Sequence, residues 1–470
     1  MLADLLSSLR GPDGDRPAVG RLTRSTLADL ADRYAIGLRA QGLAAGDTLG
    51  VAVRPGGSAL ALMLAAWRLG VRVAVLDPSA GPDVLAARLA LAAPALVVAD
   101  AAGRSVAGWA RPLARRAGLA LPPLASLGPV VSLGRLARAR GAVPKEFSGD
   151  GDAVIVFTSG TTASPRAVVH TRASLSAGMR AVASLVSPVA GVPVVGGTFF
   201  VLVPSLASGA PVALPARSPA RLARQIARLR PQATYLTPPA VRSLLAERPR
   251  LHGRFYSGSA PVSASLLGRL RAAGASEAFG VYALTELFPA AVVSAAEKQA
   301  YEGPGDLVGP PLPGVRCTVD ASGQLLLDGP GRFSRYLGSP PPAWVATGDL
   351  GRLTPSGAVV LGGRLKDMVL RRAENIYPGL YEPALHVAGV DLAVLVGVPV
   401  GDGDEALVAL VQPAPGASRP AVTAALAPVL ERMGSARPDR VLFGAVPTAG
   451  RSRKPDRAAA AAAAAARWGE

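Results

Sequence analysis

The sequence predicts an α/β protein built from parallel sheets covered by helices. Two observations carry that expectation. Over the first 140 residues, short apolar β-prone runs alternate with stretches of helical periodicity, as in a parallel sheet whose crossovers are helices. The same alternation returns between Pro215 and Leu270. A chain of 470 residues with 50% hydrophobic content is also long enough for a large core and two or more domains.

In order, Thr26 to Gly42 reads as a helix, Leu49 to Val53 as a strand, Ser58 to Leu69 as a helix and Val71 to Leu76 as a strand, with Leu96 to Asp100 as a further strand and turn. Ala181 to Ala216 is uncharged and long enough to span a bilayer. Pro188, Pro193, Pro204, Pro211 and Pro215 break it, so buried strands and loops are expected instead of one helix. Farther on, Leu222 to Leu229 is a basic amphipathic helix and Ala233 to Leu236 a strand. A helix follows Pro238-Pro239, and Arg254 to Ser257 runs into Gly258-Ser259-Ala260-Pro261. Residues 314–328 and 358–362 read as antiparallel strands with glycine turns, and no internal repeat is evident. The nine alanines from Ala458 to Ala466 predict a terminal helix that docks through Trp468, because so short a segment is marginal by itself.

The formal net charge of +18 raises nucleic-acid or membrane binding. Only four lysines occur, however, and the arginines are scattered without interleaved aromatics, unlike a single-strand-binding groove. No nucleic acid and no membrane span are therefore expected. The single Cys317 excludes an intrachain disulfide framework. His170, His252 and His386 lack zinc-ligand spacing and read as ordinary surface or packing residues. The acidic start Met1-Leu2-Ala3-Asp4 is unlike a signal peptide, which predicts a cytoplasmic location.

The most informative stretch is Thr158-Ser159-Gly160-Thr161-Thr162-Ala163-Ser164-Pro165-Arg166, directly after the apolar run Ala153 to Phe157. A strand emptying into a loop of hydroxyls and backbone amides can wrap phosphate oxygens. It does not match a Walker phosphate loop. Four further strings follow: Gly280-Val281-Tyr282-Ala283-Leu284-Thr285-Glu286, Thr347-Gly348-Asp349-Leu350, Gly363-Arg364-Leu365-Lys366-Asp367, and Lys454-Pro455-Asp456-Arg457. In wording and order the set resembles the adenylate-forming (AMP-binding) superfamily of acyl- and aryl-CoA ligases, luciferases and peptide-synthetase adenylation domains.

That resemblance implies a large N-terminal domain, residues 1–366, of helix-covered sheets with a β subdomain. It also implies a small, mobile α+β C-terminal domain, residues 367–470, hinged at Asp367. It implies ATP and Mg²⁺ as cofactors and a small carboxylic acid as substrate. Thr158, Ser159, Gly160, Thr161, Thr162 and Arg166 would serve the β- and γ-phosphates, Thr285 the α-phosphate, and Glu286 the metal. Tyr282 would stack on adenine against Gly258, Ser259, Ala260 and Pro261. Asp349 would hold the ribose hydroxyls with Arg364 beside it, and Lys454 would bridge carboxylate and α-phosphate oxygens. The implied reaction is formation of an acyl-adenylate and then a thioester, with CoA the usual acceptor and a carrier protein another.

Departures from the family wording are Ala163, Arg166 and Ala167 in the phosphate loop, Ala283 after Tyr282, Arg372-Ala373 after the hinge, and Arg453 before Lys454. An alanine at a family glycine matters where φ > 0 is wanted. The Arg451 to Lys454 tail ending in Trp468, with Thr285 to Pro289, also resembles β-lactone synthetases, which close a β-hydroxy acid on itself without a thiol. A non-catalytic binding relative is the third reading. The resemblance implies a pocket segment at Thr198 to Pro204, where amino-acid-activating members commonly place an Asp for the substrate ammonium. Here it contains no acid, and burying an unpaired ammonium is costly. An apolar acyl or aryl acid is expected.

Overall fold

The computed structural model describes residues 1–470 apart from 78–81, 101–128, 159–165, 373, 402–403, 451–452 and 469–470. Two large sheets and one smaller one make up the bulk of the chain. Among the described residues one sheet has seven strands, in the order Arg335–Tyr336, Arg166–Thr171, Asp152–Thr158, Arg72–Val75, Thr48–Ala52, Leu96–Ala99, Val130–Ser132. Its inner strands pair in parallel, and Asp152–Thr158 turns back antiparallel onto Arg166–Thr171. The second sheet runs Ala291–Ser294, Glu277–Tyr282, Arg254–Gly258, Ala233–Leu236, Val194–Val195, Val212–Ala213, Pro17–Val19, Leu22–Thr23. A five-stranded antiparallel sheet contains Val345–Leu353 paired with Val359–Arg364. The α/β expectation is met, as is the antiparallel reading of 314–328 and 358–362.

Local chemistry explains the covering helices. Thr23 caps Arg24–Ala40 through a reciprocal box with Thr26. Ser218 caps Pro219–Leu229, with Pro219 in the first turn, where its missing N–H costs nothing. Leu222 and Ile226 bury one face of that helix, and arginines occupy the other.

The proline-dense run 181–216 corrects the sequence reading. Besides short strands it holds the end of the helix Arg172–Val186 and a second helix, Phe199–Ala207, with Pro204 inside. A nine-residue helix loses only one internal hydrogen bond to that proline, and burial of Leu202, Val203, Pro204 and Leu206 offsets it.

Beyond Asp367 lies a smaller region. Val390–Gly401, Asp404–Pro413 and Arg440–Phe443 form its sheet, covered by Arg419–Glu431 and Arg457–Ala466. The alanine helix packs through Ala460 and Ala464 against Val394, Val396 and Trp468, and Arg440 lies 5.2 Å from the Trp468 ring centre. Asp391 of this region meets Arg242 at 3.6 Å and Arg269 at 3.5 Å, both from helices on the eight-stranded sheet. No described helix is long and apolar enough to cross a membrane.

Candidate active site

Parallel pairing brings the carboxyl ends of Ala233–Leu236, Arg254–Gly258 and Glu277–Tyr282 to one sheet edge, the usual ligand edge of such sheets. Gly258 lies opposite Val281. A Cβ there would sit 2.7 Å from the Val281 carbonyl oxygen, so glycine is what the packing admits. Ser259 turns the chain with φ +70°, and its hydroxyl lies 2.9 Å from that of Tyr235. Ala260 and Pro261 continue the turn.

Tyr282 ends its strand with its hydroxyl donating to Asp349 Oδ2 at 2.7 Å, while Arg364 Nε donates to Oδ1 at 2.8 Å. Asp349 is only 5% exposed. Burial raises its pKa, and the Arg364 guanidinium and the Tyr282 hydroxyl oppose the rise. Burial and then the carboxylate's charge push the Tyr282 phenol far above its ordinary value, so it stays a donor. Gly348 explains the local wording: its φ of +71° lets the strand bulge so that Asp349 N donates to Thr347 Oγ1 at 3.0 Å.

Thr285 and Glu286 follow Tyr282 on a loop fixed by two residues the sequence did not single out for the site. Buried His170 donates from Nε2 to the Thr285 carbonyl at 2.7 Å, and its Nδ1 lies 3.3 Å from Ser174 Oγ. A carbonyl only accepts, so the bond fixes the tautomer. Tyr336 donates to Glu286 Oε1 at 3.0 Å. Its pKa is pushed up to about 12 by burial and then by the Glu286 charge. Arg166 spans this group, its guanidinium 5.4 Å from the Tyr336 ring centre, and it pairs across the hairpin with Thr158. Only long-range geometry links these side chains, and their spacing in sequence gives no signal for it.

Burial lowers the pKa of His170, so the folded imidazole is neutral near pH 7. Below about pH 6.5 the unfolded chain takes up a proton that the folded site resists, and stability therefore drops as the pH is lowered. Replacing His170 with glutamine removes this contribution. The stability gap between wild type and variant, read by urea unfolding, is expected to be largest at pH 8 and to narrow at pH 5.5. A gap independent of pH would refute the assignment.

Lys454 arrives from the far end of the chain. Its residue keeps solvent access. Even so, the surrounding protein and then the Arg364 guanidinium lower its pKa, while Asp349 and Glu286 act in the opposite sense. The ammonium therefore shares its field with both carboxylates. Arg453, where the family wording has glycine, sits at φ +47°, and Arg372 after Asp367 sits at φ +51°. Both occupy the left-handed region that favours glycine. Ala167 and Ala283 do not. Ala167 is a buried strand residue opposite Phe157, and neither has positive φ. The concern over added Cβ atoms is thus misplaced for these two.

Arg457 holds the connection after the third sheet. Its Nε is 2.8 Å from Asp367 Oδ2, its two terminal nitrogens donate to Glu382 at 2.8 and 2.6 Å, and one also reaches the Leu395 carbonyl at 2.9 Å. Tyr282, Glu286, Asp349, Arg364 and Lys454 are thus brought together, with Gly258 to Pro261 on the neighbouring strand end and Thr158 and Arg166 linked through Tyr336. Ser159, Gly160, Thr161 and Thr162, with Ala163, lie outside the described residues, as does Ala373. No group of three or more His, Cys, Asp or Glu able to hold a metal occurs among the described residues. A magnesium ion at Glu286 would share its coordination with phosphate oxygens and water, which suits that ion.

A family model for AMP-binding enzymes matches residues 10–337. The chain belongs to the AMP-binding enzyme family. Among curated AMP-binding relatives, the fatty acid–[acyl-carrier-protein] ligase ScoC of Streptomyces coeruleorubidus is 30% identical over 313 residues, 58% of this chain and 60% of that protein. A feruloyl-CoA synthase of Amycolatopsis is 31% identical over 177 residues, 34% of this chain and 35% of the other. The chain thus spans three-fifths or less of these relatives. Among solved structures, the amide bond synthetase McbA of Marinactinospora thermotolerans superposes with a TM-score of 0.77 at 25% identity, covering 97% of this chain and 99% of that one. ATP-bound MatB of Rhodopseudomonas palustris gives a TM-score of 0.80 at 22% identity over the whole of both chains, a likeness of fold.

Proposed function

We propose that the protein activates an apolar acyl or aryl acid with ATP and passes the acyl group to a thiol. The single observation behind this reading is the clasp of the buried Asp349 carboxylate by the Tyr282 hydroxyl and the Arg364 guanidinium, with the Lys454 ammonium near enough to feel the charges of Asp349 and Glu286. In the first step a carboxylate oxygen bonds to the α-phosphorus, the bond to the β-phosphate oxygen breaks, and pyrophosphate leaves. Lys454 would meet charge on the carboxylate and α-phosphate oxygens, which is worth most in a partly water-excluded site. Asp349 would accept from the ribose hydroxyls in place of its present partners. Glu286, steadied by Tyr336, would hold a magnesium ion that offsets the charge of the phosphates. His170 fixes the Thr285 backbone so that its hydroxyl can serve the α-phosphate.

In the second step a thiolate attacks the acyl carbon and AMP leaves. CoA and a carrier-bound thiol supply the same chemistry. Residues 1–366 and 367–470 would act as two domains turning about Asp367 between the steps. Support for a thiol acceptor comes from the relatives, which include a fatty acid–[acyl-carrier-protein] ligase and a feruloyl-CoA synthase.

Pyrophosphate exchange over an acid panel, followed by product mass with and without a thiol, tests the proposal. Exchange is expected with apolar acids and not with α-amino acids, and the product should require the thiol. Thiol-independent loss of water from a β-hydroxy acid would replace the second step with lactone closure. No exchange with any acid would leave a binding protein.

A further inference from the structure

The middle of the chain is charged in a way the overall composition does not explain. Between Ala153 and Ser276 the sequence carries fourteen arginines and one acid, Glu247, whereas the whole chain has 32 acids to 50 lysines and arginines. A preference for arginine over lysine accounts for the kind of cation. It does not account for the missing carboxylates.

On the fold, four of these arginines align. Arg217, Arg221, Arg224 and Arg228 follow one another at intervals of four, three and four residues on and just before the helix Pro219–Leu229. That spacing places Arg221, Arg224 and Arg228 on one helical face, with Arg217 just ahead of the cap. All four are exposed, opposite the buried Leu222 and Ile226, and none makes an ion pair among the described residues. Arg224 only reaches back to the Ala220 carbonyl. Like charges three and four apart destabilise a helix, so the stripe opposes local stability unless an anionic surface covers it.

Its position is also informative. Val212–Ala213 runs parallel to Val194–Val195, and that strand to Ala233–Leu236. The helix therefore starts at the sheet edge that carries Gly258 and Tyr282, beside Arg217. It extends about 16 Å from that edge, next to the helix Pro238–Ala246, whose Arg242 meets Asp391 of the smaller region.

We propose that this stripe docks an acidic carrier protein that brings its pantetheine thiol to the adenylate site. The inference rests on the acyl-adenylate reading and deepens it by naming the acceptor. A membrane surface fits less well. A surface-bound helix inserts its apolar face, but here that face is buried in the protein, and none of the exposed large hydrophobic residues lies on this helix. Nucleic acid fits less well because no aromatic side chain interleaves with the arginines. An acidic helix of similar length would match the stripe charge for charge, chiefly aiding encounter and register.

The test uses the full chain and a dye-labelled acidic holo-acyl carrier protein, with binding read by fluorescence anisotropy. The triple variant Arg221→Gln, Arg224→Gln, Arg228→Gln is expected to raise Kd about tenfold, the change expected of three exposed charge contacts. The matching triple change to lysine should restore binding, and wild-type binding should weaken steeply with salt. Thioester formation on free CoA and pyrophosphate exchange should be unchanged in the glutamine variant, which also controls for folding. Wild-type affinity for the carrier in that variant would overturn the proposal. So would absence of carrier binding by the wild type, including the case where a DNA duplex or anionic phosphatidylserine vesicles bind instead. Binding needs no turnover, so the two readings fail separately. Exchange without docking overturns the surface, and docking without exchange overturns the reading of the site.

Discussion

Replacing Lys454 with alanine is expected to cut the adenylation rate by about two to three orders of magnitude with little effect on folding. Among the described residues the ammonium makes no hydrogen bond or ion pair, and it keeps solvent access, so truncation leaves no buried partner orphaned. What disappears is a cation placed among Asp349, Glu286 and Arg364, where negative charge would build as pyrophosphate departs. ATP affinity should change far less than the rate, because the lysine would act mainly in the transition state. The wild-type rate should also fall at alkaline pH, as an ammonium whose pKa lies below that of an ordinary lysine loses its proton. Pyrophosphate exchange together with ATP binding by calorimetry checks both points. A variant that exchanges at the wild-type rate would remove Lys454 from the mechanism.

Asp349 should show the opposite signature. Asp349→Ala is expected to weaken ATP binding by about a hundredfold, from two lost charge-assisted hydrogen bonds of roughly 1.5 kcal/mol each. Stability should fall as well, by about 1–2 kcal/mol, since the Tyr282 hydroxyl loses its acceptor. Arg364 is half exposed and can return to water, which limits that loss. Calorimetric titration of ATP decides the matter, with a thermal melt to separate affinity from unfolding. Undiminished affinity in a folded variant would show that the carboxylate serves only Tyr282 and Arg364.

Much of the fold was legible because its signals are local. Ala233–Leu236 is the strand that its apolar, β-prone wording predicts, and Pro238-Pro239 opens the helix that follows. The stretch around Phe199 departs from its sequence reading because one proline costs a short buried helix far less than it costs a long one. In the site, Tyr282, Glu286, Asp349 and Lys454 were found through contiguous strings. His170 and Tyr336 were missed because each acts on a residue 115 or 50 positions away. Arg453 and Arg372 were noticed as substitutions, but only backbone angles show that they hold the left-handed shape glycine would give. Ala167 looked equivalent in sequence and is an ordinary strand residue.

The fork made by Arg457 bears on timing. One guanidinium grips both Asp367 and Glu382 from a position three residues past Lys454. If residues 367–470 turn about Asp367 as proposed, swinging the connector and withdrawing the ammonium would be mechanically one movement: the grip would travel as a rigid piece or let go. In the proposed reaction the acyl-adenylate would then wait, fully formed, until the grip of Arg457 on the connector has moved or opened.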